Sequence, residues 1–270
     1  MSSPLVSVIE CNELDHFLTH CPKNVLIIDL CNPRVYAQCH IPGAINVHPH
    51  ELIAGTHPAT GKLPPVKMLE ALFSRLGYTG GEHIIVYDDE GGGWAGRFIW
   101  TLDVIGHKQY SYLNGGLHAW LKKGSPVEQQ PAPQPESVPV SLSIDHSVIA
   151  TREMIEANLN NPEVIIWDAR SPEEYRGEKL FARRGGHIPG AINYEWTRAM
   201  SPERSYRIKD GVKTELEALG ITRDKTVITY CQSHHRSGFT YLVGKTLGYD
   251  IIAYDGSWSE WGNLPETPVE

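Results

Sequence analysis

Positive charge is in short supply in this chain: 24 lysines and arginines stand against 32 aspartates and glutamates, a formal net charge of −8 over 270 residues. Nucleic acids and anionic membrane surfaces are both met by clusters of cations. Neither is therefore an expected partner, and an anionic substrate would need a local positive site. Long apolar runs are also missing. None reaches the roughly 20 residues that cross a bilayer, and the opening MSSPLVSVIECNEL has neither the basic region nor the apolar core of a signal peptide. Cysteine is sparse, and the five present (Cys11, Cys21, Cys31, Cys39, Cys231) are odd in number and spaced for neither a disulfide framework nor a zinc site. A cytoplasmic, reducing location is expected, with no metal, no cofactor, and structural or incidental roles for the first four thiols. What remains is an ordinary globular composition, 41% hydrophobic and 21% charged. At about 100–200 residues per domain, the length suggests two domains.

Strands and helices alternate along the first half. Glu10–His20 reads as a short amphipathic helix, Val25–Asp29 as a buried strand ending in a carboxylate, and Pro33–Cys39 as a proline-started helical turn. Val66–Leu76 and Arg97–Ile105 read as helices, His83–Asp88 and Tyr110–Asn114 as strands. That order predicts an α/β fold with a mainly parallel sheet covered by helices on both faces. After Trp120 the proline-dense Gly124–Pro139 cannot pack as regular structure and reads as a linker.

Beyond the linker the first half is written again. Val164-Ile-Ile-Trp-Asp168 echoes Val25-Leu-Ile-Ile-Asp29, and His187-Ile-Pro-Gly-Ala-Ile-Asn193 repeats His40-Ile-Pro-Gly-Ala-Ile-Asn46 letter for letter, after a longer run over 176–186. Gly256-Ser-Trp-Ser-Glu-Trp261 answers Gly115-Gly-Leu-His-Ala-Trp120. The chain is a duplication, divided as a first domain over 1–124, a linker over 125–146 and a second domain over 147–270.

The chemistry concentrates in Thr226–Gly248 of the second copy. A β-branched strand (Val227, Ile228, Thr229, Tyr230) runs into Cys231, then the polar turn Gln232, Ser233, His234, His235, Arg236, and from Ser237 a helical pattern carrying Phe239, Leu242, Val243 and Leu247. Ligands of open parallel sheets bind at that strand-to-helix edge, where a short turn aims backbone N–H groups inward as an anion cradle. A thiol there, beside an arginine, should ionise below the ordinary value of about 8.5 and act as a nucleophile. The alternative is a buried cysteine serving as a small hydrophobe, which would want apolar neighbours. The first copy places Asp88 where the second has Cys231, and Asp88-Asp-Glu90 would repel an anion. A single active site is expected, in the second domain. Gly91–Gly96 also satisfies G-x-G-x-x-G, but carboxylates lie where pyrophosphate would go, and the next strand ends at Asn114 instead of an acidic ribose ligand, so it reads as a glycine-rich turn.

Taken together, Asp168-Ala-Arg170, Glu173-Glu-Tyr175, Gly186–Asn193, the strand–Cys231–loop–helix and Gly256-Ser-Trp258 with Trp261 resemble the tandem-domain rhodaneses, a family of sulfurtransferases. The loop Cys231–Ser237 most resembles that of bacterial rhodaneses of the Azotobacter type. The resemblance implies two similar α/β domains, an inactive first one, and a persulfide carried on Cys231. Sulfane sulfur would pass from a small anionic donor, thiosulfate, to a nucleophilic acceptor, cyanide or a thiol, in ping-pong fashion; a protein thiol is a further candidate acceptor. Thiolate, soft and polarisable, suits this better than a hydroxyl. Arg236, with Ser237 capping the helix, is expected to close the loop and bind the donor's sulfonate end. Gln232, Ser233, His234 and His235 complete the loop, the histidines adding positive charge or a proton or standing inert.

Arg183, Arg184 and His187 lie on or beside the lengthened segment and are candidates for gathering anions at an entrance, against a plain solvated basic surface. Glu174 joins them as a departure, because animal-type rhodaneses and mercaptopyruvate sulfurtransferases resemble each other in having arginine there. That departure, and a loop without glycine, favour thiosulfate over mercaptopyruvate. A cysteine phosphatase or arsenate reductase shares a Cys-to-Arg anion loop, but with five intervening residues where this chain has four. A non-enzymatic binding module would leave both loops vestigial, contrary to their asymmetry.

Overall fold

In the computed structural model, which describes residues 7–19 and 24–270, the β-branched runs pair with one another at long range. Cys21 and His20, the expected end of the first helix, lie outside the described residues. In the first half β1 (Ser7–Ile9), β2 (Val25–Asp29), β3 (Ile45–Asn46), β4 (His83–Tyr87) and β5 (Tyr110–Leu113) form a parallel sheet in the order β1-β5-β4-β2-β3. It is flanked by α1 (Cys11–Thr19), α2 (Pro33–Gln38), α3 (Val66–Arg75), α4 (Gly93–Val104) and α5 (Gly116–Lys123). Nearly continuous apolar strands such as β4, with Ile84, Ile85 and Val86 all buried, are what a sheet covered on both faces requires.

The second half repeats the plan with β6 (Val164–Asp168), β7 (Ile192–Asn193), an antiparallel ribbon of β8 (Met200–Ser201) and β9 (Arg207–Ile208), then β10 (Thr226–Tyr230) and β11 (Asp250–Ala253). Its parallel sheet runs β11-β10-β6-β7, and Ile149 bridges Ala253 where β1 flanks β5 in the first half. The helices are α6 (Arg152–Asn158), α7 (Pro172–Tyr175), α8 (Val212–Ala218), α9 (Arg236–Thr246) and α10 (Ser257–Trp261).

The repeat extends further than its seven-residue identity suggests. Trp120 Nε1 donates to the Pro126 carbonyl, and Glu128 pairs with His40 through both backbone groups. Trp261 donates to Pro268 and Glu270 pairs with His187 in the same way. Pro126-Val-Glu128 and Pro268-Val-Glu270 are thus one motif used twice, and the proline-rich connection leaves the first half only after Glu128. It then runs along α3, where Leu142 N reaches Glu70 Oε1.

One element differs from expectation. α4 begins at Gly93, four residues before Arg97, so Gly91 and Gly92, both at positive φ, form the turn while Gly93 and Gly96 belong to the helix's first turn. Nearly every residue of α4 and α9 is buried. Both are central helices of one apolar core that joins Phe98, Trp100 and Leu102 to Phe239, Tyr241 and Leu242. A helix buried on all sides shows no amphipathic stripe, and a shared core ties the two halves together as a domain interior would.

Candidate active site

β10 lies between β11 and β6 and ends at Tyr230; α9 begins at Arg236. The intervening turn is bonded to the start of α10. Trp258 N and Ser259 N donate to the carbonyls of Cys231 and Gln232 at 3.0 and 2.9 Å. The Ser257 hydroxyl accepts from Cys231 N and His234 N and donates to the Tyr254 carbonyl. His234 and Ser257 both adopt positive φ, 53° and 52°, a conformation that non-glycine residues hold only where surroundings over-determine it. Ser257 lay inside a repeated motif, but its reach to the loop crosses 23 residues from His234, and only the structure reveals it.

Cys231 is 1% exposed. Burial pushes its thiol up, but the Arg236 charge, the Ser237 hydroxyl and the amides of Ser237 and Ser233 outweigh burial and hold it below the ordinary value. The Ser237 hydroxyl donates to Sγ at 3.4 Å. Its oxygen lies 2.8 Å from His234 Nδ1, which therefore carries a proton and donates. Burial, then the charge of Arg97, keep His234 neutral far below the usual histidine range. His234 is accordingly a hydrogen-bonding prop, not a source of positive charge.

Arg236 meets Glu174 as a two-pronged pair, Nη1 to Oε2 at 2.5 Å and Nη2 to Oε1 at 2.8 Å. Each terminal nitrogen gives one N–H to that pair, and the Arg236 charge also acts on the Cys231 sulfur. His235 leaves the cysteine altogether. Its ring stacks on Trp94 at 4.4 Å, approaches Trp196, and sets Nε2 2.8 Å from Glu90 Oε2. It clasps the Cys231 loop to the first half.

The remaining candidates separate. Arg184 folds inward onto the carbonyls of Trp261, Leu264 and Thr267, and His187 stacks on Tyr175 at 3.6 Å while bonding its carbonyl. His40 does the same with Tyr36 in the first half. Arg184 and His187 are corrections to the entrance expectation: the terminal nitrogens of the first and Nδ1 of the second brace the chain. Arg183 stays exposed, lining a cleft of about 670 Å³ with Gln232, Phe181, Leu264, His57 and Pro58. The lengthened segment forms one wall, and Gln232 Nε2 donates to the Phe181 carbonyl.

The twin loop supplies a direct comparison. Asp88 stands at the end of β4 as Cys231 stands at the end of β10, and its carboxylate accepts from the amides of Glu90, Gly92 and Ala95 at 3.0, 2.8 and 3.0 Å. The turn is an anion cradle in both copies. In the first, the chain fills it with its own carboxylate.

The family described as the rhodanese-like domain matches residues 12–123 and again 151–264. The chain is 53% identical over 247 residues to a thiosulfate sulfurtransferase of Azotobacter vinelandii and 52% to one of Pseudomonas aeruginosa, covering 91% of this chain and of each relative. Among solved structures it superposes on YnjE with a TM-score of 0.87 at 21% identity, covering 97% of this chain and 68% of that one.

Proposed function

The chain belongs to the rhodanese family, and from that premise we propose that it acts as a thiosulfate sulfurtransferase with Cys231 as its sulfur carrier. The relatives at 52–53% identity support the activity. The observation that carries the assignment of the site is a fully enclosed thiol whose pKa is nonetheless lowered.

The Cys231 thiolate attacks the outer sulfur of thiosulfate. A Cys231 S–S bond forms as the bond to the sulfonate sulfur breaks, and that electron pair leaves with sulfite. The persulfide keeps the negative charge, beside the Arg236 cation and at the start of α9. An acceptor nucleophile, cyanide or a thiol, then attacks the terminal sulfur, and the bonding pair returns to Cys231 Sγ. No proton need move in the capture step, which suits a site whose nearest histidine is neutral. The cleft beginning at Gln232 is the approach for both reactants, with Arg183 at its wall. Against phosphoryl chemistry, the ring from Cys231 to Arg236 has four intervening residues where the cysteine phosphatases have five.

Intact-mass measurement after thiosulfate treatment tests this. One added sulfur, removed by cyanide and missing in Cys231→Ser, is the expected result. Sulfur transfer persisting in that variant would defeat the assignment.

A further inference from the structure

Packed against the Cys231 loop is a stretch of the other half of the chain that carries a buried charge. Arg97, near the start of α4, has no exposed surface. Its Nη1 donates to the Gly61 carbonyl at 2.8 Å and its Nη2 to the Leu52 carbonyl at 2.6 Å, while its guanidinium lies 4.5 Å over the Trp100 ring. Two of these partners, Gly61 and Trp100, and the backbone of Arg97 itself lie against the loop. A methyl on Gly61 would fall 2.1 Å from the Ser233 carbonyl oxygen, and one on Gly238 would fall 2.6 Å from the Arg97 amide. Trp100 meets the His234 ring edge-on at 4.6 Å.

We infer that Arg97 is a positioning residue for sulfur transfer, a buried cation lent by the first domain that holds the Cys231 sulfur as an anion. Resting on Cys231 as the carrier, the inference makes the first domain part of the active site.

Taking a guanidinium out of water is costly, and burial pulls Arg97 down to about 10. Such a group persists only where anions or dipoles hold it. Two carbonyls, the Trp100 face, the carboxylate of Asp255 and the Cys231 thiolate do so here. Asp255, 7% exposed, also accepts from Leu63 N. The charges around Cys231 form one network: Arg236 and the Ser237 and Ser233 donors hold the thiol down, Glu174 and Asp168 act on Arg236, Asp255 and Cys231 act on Arg97, and Arg97 helps to keep His234 neutral. A second buried cation whose charge interacts with that of Cys231 helps an anion to be tolerated in a site from which water is excluded. Ser233, whose amide meets the sulfur, is held against Gly61, and Gly238, which follows Ser237, against Arg97.

The test follows iodoacetamide alkylation of Cys231 against pH by intact mass, with thiosulfate-driven sulfur uptake in parallel, on the full chain and on Arg97→Met, Arg97→Lys and Asp255→Asn. Loss of the charge in Arg97→Met raises the midpoint by about one unit. Arg97→Lys restores it, and Asp255→Asn, which removes the competing carboxylate, lowers it. An unchanged midpoint in Arg97→Met, or Arg97→Lys behaving like Arg97→Met, overturns the inference. If Arg97→Met does not fold, Asp255→Asn decides: a lower midpoint supports the role and an unchanged one ends it. Alkylation and sulfur uptake that do not map to Cys231 at all would instead defeat the assignment of the carrier.

Discussion

Cys31 and Cys231 are both enclosed thiols just past the end of a parallel strand, and their surroundings drive them in opposite directions. Cys31 faces Asp29, Asp89 and Asp88, so burial and charge together push it far up. Cys231 faces Arg236 and hydrogen-bond donors, so charge reverses the effect of burial. Reactivity is decided by the partners of a thiol, not by its enclosure. The Glu174–Arg236 pair fixes one of those partners, and its removal is measurable twice. Glu174 is 3% exposed, and its carboxyl is held below the usual range, burial being overcome chiefly by Arg236. Breaking such a pair leaves an uncompensated charge, worth about 3–5 kcal/mol when fully buried; Arg236 is 20% exposed, so Glu174→Gln should cost about 2 kcal/mol at neutral pH. A carboxyl lowered in the folded state contributes stability that is present above its unfolded pKa and lost as pH falls through the folded one. The difference between the parent and Glu174→Gln in urea unfolding should therefore shrink below about pH 4. With one negative charge fewer beside the sulfur, the alkylation midpoint of Cys231 should also move down. A constant stability difference into acid, or an upward midpoint, would contradict the pairing.

At the scale of elements, the crossing of α4 over α9 places the catalytic loop. Gly96 and Gly238 let the backbones touch: a methyl on Gly96 would sit 2.2 Å from the Gly238 carbonyl oxygen, and one on Gly238 would sit 2.6 Å from both Arg97 N and Gly93 O. Gly238→Ala therefore gives a prediction with a diagnostic sign. In an ordinary helix the change stabilises by up to about 1 kcal/mol, whereas here the methyl meets backbone that cannot yield, and a loss of about 1–3 kcal/mol is expected from such overpacking. Chemical denaturation reads the sign, and a gain in stability would mean that the helices are not in contact. The same crossing accounts for what the sequence could not convey. Strands β2, β4, β6 and β10 were legible because each is a continuous β-branched run bounded by polar residues, and the HIPGAIN identity exposed the duplication. Gly91–Gly96 read as a turn because glycine is a poor helix former; Gly91 and Gly92 are that turn, but Gly96 lies in α4, where its role is a packing requirement set by Gly238 of α9. Cys231 to Ser237 was legible as one turn. Arg97, Trp94 and Ser257 were not, since each reaches that turn from a distant segment and nothing in its own neighbourhood records the contact.

For the whole molecule, duplication has produced two cradles that divide the anions between them. Asp88 and Cys231 each lead a turn into a buried helix, but the first turn holds a carboxylate on three amides and is flanked by Asp89 and Glu90, while the second is flanked by Arg236. Burial raises Asp88 against the pull of the Ala95, Gly92 and Glu90 amides, so the amides alone are not a substitute for a cation. This sets the outcome of moving the thiol from one copy to the other. Asp88→Cys in a Cys231→Ser background places a cysteine in the same backbone setting without a cation beside it, and burial and neighbouring Glu90 would raise its pKa as they raise that of Asp88. Such a chain should take up no sulfur from thiosulfate and should alkylate at that position only at alkaline pH, whereas adding Glu90→Arg should move alkylation back toward neutrality. Sulfur capture by Asp88→Cys alone would show that the cradle, without a charge partner, is enough to make a persulfide carrier.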